Sequence, residues 1–121
     1  MVPTRTTLIG SLLLLAGCAS LTPPAQVAPD PAVAERVSQL SDGGACSAAI
    51  AGTLTAHHIT AGQIASVYER ILVSNHQPYE QNQAWVGLTG QPGHVVVQFT
   101  PLTCWINTVY ARDGATLPTA G

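Results

Sequence analysis

Four histidines, His57, His58, His76 and His94, and six carboxylates are the side chains of this chain suited to acid–base or metal chemistry. A metal needs several such donors converging on one point. Adjacent His57 and His58 point apart on a strand and diverge by about 100° on a helix. There is no HExxH motif and no Cys/His cluster, so Glu69 and Glu80 could join the histidines only if the fold brought them together. A covalent hydrolase is no better supported, because neither GxSxG nor Ser-x-x-Lys occurs. Glu80 and Asp113 could act as a carboxylate pair across a cleft, but nothing in the pattern places them there. Gly87, Gly90 and Gly93 serve turns and strand geometry better than phosphate cradling. These residues therefore assign no catalytic group, no metal and no cofactor, and a small enzyme or metal-binding protein using His and carboxylate residues is the alternative reading.

A stronger candidate is an apolar surface rather than a reactive one. The runs 84–88, 94–100 and 103–111 alternate apolar and polar residues, with Gly90-Gln91-Pro92-Gly93 and Thr100-Pro101-Leu102 between them, which predicts a three-stranded antiparallel meander. Strict alternation sorts the side chains into two faces. One holds Ala84, Val86, Leu88, Val95, Val97, Phe99, Cys104, Ile106 and Tyr110 and should meet the rest of the core. The other gathers Trp85, Val96, Trp105 and Val109, edged by His94, Gln98 and Asn107. A patch of that kind is either covered, by the first helix or Leu117, or used to bind a protein, peptide or glycan through its tryptophans.

Helices should support that sheet. Asp30-Pro31 is a helix start, a carboxylate cap followed by proline in the first turn; Val33, Val37 and Leu40 form a narrow stripe, and Asp42-Gly43-Gly44 ends the segment. Residues 45–56 repeat Cys46, Ala49, Ile50 and Leu54 at helical spacing, although Gly52, Thr53 and Thr55 weaken the pattern and keep a strand over 52–59 as its rival. Thr60-Ala61-Gly62-Gln63 fits a capping box, and Ile64, Val67, Tyr68, Ile71 and Leu72 then give a helical face through Val73. The same opening resembles the first helix of helix-turn-helix DNA binders, but the second helix would fall in Ser74-Asn75-His76-Gln77-Pro78, which is loop-like. The expected fold class is α+β: two or three short helices packed on a three-stranded antiparallel meander.

The amino terminus sets the compartment. One charge, Arg5, precedes an apolar run from Leu8 to Ala16, too short to span hydrocarbon, which takes about 20 residues, and laid out as a secretory signal. Leu15-Ala16-Gly17-Cys18 matches the lipobox of bacterial lipoproteins at all four positions, and residues 1–18 resemble that class. The resemblance implies a diacylglyceryl group on Cys18, cleavage before it and acylation of the new amino terminus; several acyl chains anchor durably. Ala19, not Asp, follows the lipidated position, which by the same resemblance favours the outer membrane, facing the periplasm. With Cys18 so assigned, Cys46 and Cys104 remain as a pair in an oxidising compartment and are expected to form a disulfide.

The domain boundaries follow: signal peptide 1–17, lipidated Cys and Pro-rich linker 18–30, α+β domain 31–113 and a flexible tail 114–121. Ala19 to Asp30, carrying Pro23, Pro24 and Pro29, reads as an extended spacer able to hold the domain roughly 35 Å from the bilayer. After the signal peptide only Arg36, Arg70 and Arg112 face the six carboxylates, and the chain has no Lys. Three scattered arginines exclude a nucleic-acid face. The functional expectation is a non-catalytic accessory or adaptor lipoprotein, bound to the lipid bilayer through Cys18 and to an envelope protein, peptide or glycan through the tryptophan face.

Overall fold

The computed structural model describes residues 24–72 and 81–121. Two α-helices, α1 (Pro31–Leu40) and α2 (Ser47–Ala56), precede a four-stranded antiparallel sheet, β1 (Ile64–Leu72), β2 (Gln81–Leu88), β3 (His94–Thr100) and β4 (Trp105–Arg112), whose spatial order follows the chain. The α+β class stands, with four strands in place of the expected three.

Helix α1 starts as its sequence dictates: Asp30 Oδ2 accepts from Ala32 N at 3.1 Å and Val33 N at 3.3 Å, and Pro31 follows the cap. Its stripe buries Val33 and Val37. Helix α2 carries apolar residues around most of its surface because most of it is covered: α1, the sheet, the incoming chain and the carboxyl-terminal tail all lie against it, and Ala48 is left exposed. Gly52 belongs to that packing, since a methyl there would overlap the Val27 carbonyl oxygen. The rival strand over 52–59 is thereby excluded. The helix closes with His58 at φ 60°, His58 N–H donating to Thr55 O and Ile59 N–H to Leu54 O. These paired bonds, with Ile59 and Leu54 both buried, make a Schellman stop.

The segment after the capping box is a strand, not the expected helix. Gln63 does reach back to the Thr60 N–H, at 2.8 Å, but the turn it opens is a single 3₁₀ turn, Ala61–Gln63, and the chain then pairs with β2 from Ile64↔Leu88 to Leu72↔Gln81. A bulge between Ile64 and Ser66 inserts one residue, so buried Ile64 and buried Val67 fall three apart and imitate a helical stripe. Ile64, Val67, Tyr68 and Ile71 are also β-branched or aromatic, types that suit a pleated surface.

The sheet's inner face meets the helices through Ala84, Val86, Leu88, Val95, Val97, Phe99 and Ile106, packed with Ile50 and Leu54. A second bulge, between Gln98 and Phe99, shifts β4. Beyond it Val109 lies opposite Val97 and packs on the core, while Tyr110 lies opposite Val96 on the outer face. The two residues thus exchange the faces that strict alternation gave them. Cys104 sits at φ 58° just before β4 rather than within it. It is bonded to Cys46, with Cα atoms 5.2 Å apart, so the disulfide joins the start of α2 to the β3–β4 turn.

Both chain ends of the domain are seated. Gln26 Nε2 donates to Ile106 O at 3.2 Å and Gln26 Oε1 accepts from Ile106 N at 3.1 Å, so half of the expected spacer is part of the folded unit. The expected flexible tail is held by Thr116 N–H on Gln91 Oε1 at 2.9 Å, by His57 Nδ1 donating to Pro118 O at 2.6 Å and by Leu117 on the core.

Candidate functional site

The outer sheet face is built by residues whose register brings four strands together around one ring. Tyr68 of β1 lies opposite Trp85 of β2, which lies opposite Val96 of β3, which lies opposite Tyr110 of β4. One pleat away stand Arg70, opposite Gln83, and the pair His94 and Arg112. The Tyr68 ring stacks on Trp85 with centroids 5.9 Å apart and planes 16° from parallel, and His94 meets it edge-on at 5.5 Å. Arg70 and Arg112, from the two edge strands, each bring the guanidinium carbon to 5.3 Å from the indole centroid. Such cation–π contacts contribute about 0.5–1 kcal/mol each at partly exposed sites.

The consequence is that Trp85 is only 5% exposed although it projects from the outer face. Its Nε1–H donates to Gln83 Oε1 at 3.0 Å, and Gln83 Nε2 donates to the Tyr110 hydroxyl at 3.1 Å. The amides continue along the face: Gln98 Nε2 and Asn107 Nδ2 both donate to Gln81 Oε1, at 3.2 and 2.9 Å. Gly87 keeps the neighbouring position low, since a methyl there would overlap the Ser66 hydroxyl.

Charge on this face is one-sided. Arg36 is used inside the fold, its Nε–H donating to Ile64 O at 3.1 Å. Among the described residues the only ion pair is Arg112–Asp113, at 3.8 Å between half-exposed or more exposed side chains, a type worth little. Arg70 has no carboxylate partner among the described residues. Two guanidinium groups, an imidazole and two phenols therefore cluster on an otherwise weakly acidic domain. No known protein family, characterised protein or solved structure matches this chain.

The expected tryptophan patch is not assembled as the alternation foretold. Trp85 and Val96 are buried beneath the arginines and Tyr68, Val109 packs on the core side, and half-exposed Trp105 stands at the other end of the sheet opposite Thr100. Neither α1 nor Leu117 covers the outer face; both pack on the core. His57 and His58 serve the tail and the helix stop, and His94 serves the aromatic cluster. His76, Glu80 and Cys18 lie outside the described residues. Among the described residues no three His, Cys, Asp or Glu side chains converge as metal ligands, and no helix is long and apolar enough to cross a membrane.

Arg70, Arg112 and Tyr68 escaped the sequence reading. No alternation marks Tyr68 and Arg70, since Val67 is the one buried residue of 65–71 and the bulge before it sets it three residues from Ile64. For Arg112 the signal was adjacency to His94 across a strand pair, which follows once the shifted register of β4 is known.

Proposed function

We propose that this chain is a bacterial envelope lipoprotein, anchored through acylated Cys18 at the outer membrane and facing the periplasm, where it acts as a non-catalytic accessory that binds another envelope component. The recognition surface in this reading is the outer face around Tyr68, Arg70, His94 and Arg112, and the component is one that carries carboxylates, an acidic glycan or peptide. The observation that supports it is the convergence of two guanidinium groups on Trp85, without a carboxylate on Arg70 among the described residues. Arg112 has only the exposed contact with Asp113 and Arg70 has no acid beside it among the described residues, while both sit on an aromatic platform. Guanidinium donors match the two oxygens of a carboxylate, and Tyr68 offers a ring for a sugar or side chain to lie on.

Titration of the Trp105→Phe protein, whose only indole is Trp85, with soluble peptidoglycan fragments and fluorescence as the readout tests the reading. Fragments with free carboxylates should bind and fragments with amidated carboxylates should not. Arg70→Gln and Arg112→Gln should each weaken binding roughly ten- to hundredfold, the loss of one charge-assisted hydrogen bond. Equal affinity for the free and amidated fragments would remove the carboxylate reading.

A further inference from the structure

We infer that the β3–β4 turn is a second point of membrane contact, in which Leu102 and Trp105 enter the interfacial layer of the same bilayer that holds Cys18. The inference rests on the lipid-anchor reading above and adds an orientation to it.

Leu102 is 95% exposed at the tip of the turn and Trp105 is 50% exposed three residues later. Nothing charged lies near them in the chain: Thr100 to Thr108 contains no Asp, Glu, Lys, Arg or His, so the turn meets a headgroup layer without burying a charge. Tryptophan suits that layer, its ring partly apolar and its N–H still able to donate. The turn is also held in shape. Cys104 N–H closes it on Thr100 O at 2.8 Å, and the disulfide ties Cys104 to the start of α2. Little conformational freedom is then lost on docking.

What selects the bilayer as occupant is where the chain leaves the domain. Gln26 Nε2 donates both to Pro24 O, at 3.1 Å, and to Ile106 O, at 3.2 Å. The described chain thus begins beside Ile106, the residue after Trp105. From Pro24 to Cys18 there are six residue steps, at most about 20 Å when fully extended. An acylated Cys18 therefore keeps this corner of the domain within a short reach of the headgroups, where a weak apolar contact becomes effectively intramolecular. His94 and Arg112 lie at the other end of the sheet, with Arg70 between, in register with Thr108 on the opposite edge strand; Trp105 and Arg112 are seven residues apart on β4, roughly 20 Å of strand. Docking by the turn presents His94 and Arg112 away from the membrane.

The test uses the full lipidated chain in phosphatidylethanolamine–phosphatidylglycerol vesicles, made with plain or with brominated acyl chains, which quench nearby indoles. Wild-type protein should float with both vesicles and lose the Trp105 share of its emission in the brominated ones; Trp105→Phe, which leaves only Trp85, should show no such loss. Leu102→Ser should reduce the quenching while flotation is kept. Protein that floats but is equally bright in both vesicles overturns the docking and leaves the anchor intact. Protein that does not float overturns the anchor and the docking with it. Trp105 that stays in water on vesicles and is shielded only when a solubilised envelope protein is added assigns the turn to a protein partner instead, and equally overturns the inference.

Discussion

Replacing Gly52 by alanine sets two effects of similar size against each other, and the structure decides which one wins. In an isolated helix the change should stabilise, because alanine exceeds glycine in helix propensity by about 0.8–1.0 kcal/mol. Here the new methyl would overlap the Val27 carbonyl oxygen, and a backbone atom cannot swing aside as a long side chain can. Relief requires residues 24–28 to lift from α2, and they take with them the two hydrogen bonds between Gln26 and Ile106, worth about 1 kcal/mol each. Val27 is already 39% exposed and adds little. The net expectation is a loss of about 1 kcal/mol, a fall of roughly 4–8 °C in Tm for a domain of this size. Urea unfolding of the oxidised protein at low concentration measures it. The same substitution in a chain that begins at Pro29 should change sign and stabilise, since the obstructing carbonyl is gone. If Gly52→Ala stabilises the longer chain as much as the shorter one, the incoming segment is not seated on α2 and the close approach argued for it is wrong.

Two further expectations concern stability. Replacing both Cys46 and Cys104 by alanine opens a bridge between residues 58 apart and should cost about 4 kcal/mol in the chain-entropy description, seen as a lower urea midpoint that reductant no longer shifts. His58→Gly should gain up to about 1 kcal/mol, because the φ of 60° at the end of α2 strains any residue with a Cβ; a loss in thermal unfolding would mean that the imidazole makes a contact outweighing that strain.

The elements that the sequence displayed most clearly are those with a local cause. Asp30-Pro31 caps α1 through its own carboxylate, and the period-two runs in 84–88 and 94–100 occupy strands. Where the reading failed, a bulge had altered the period. In β1 the extra residue spaced Ile64 and Val67 like a helix, and the real capping box ahead of them reinforced the error. In β4 the shift exchanged Val109 with Tyr110, dissolving the expected four-residue patch of Trp85, Val96, Trp105 and Val109. Bulges form through pairing with a partner strand, so the residues that carry them hold no local mark of it. The site suffered most, because Arg70 and Arg112 come from the two edge strands and meet over Trp85 only once all four strands are in register. The cysteine pair was legible for a different reason: few thiols leave few pairings.

Gln26 also has a meaning for how copies of this protein meet. Its side-chain amide exchanges two hydrogen bonds with the backbone of Ile106, doing for the open edge of β4 what one residue of a neighbouring strand would do. An unpaired sheet edge is a template on which a second copy can pair. The segment that precedes α1 thus occupies part of the edge along which copies would otherwise join, and on the opposite edge Glu69 and Arg70 put charge in the way. One glutamine thereby closes the start of β4 to a second copy.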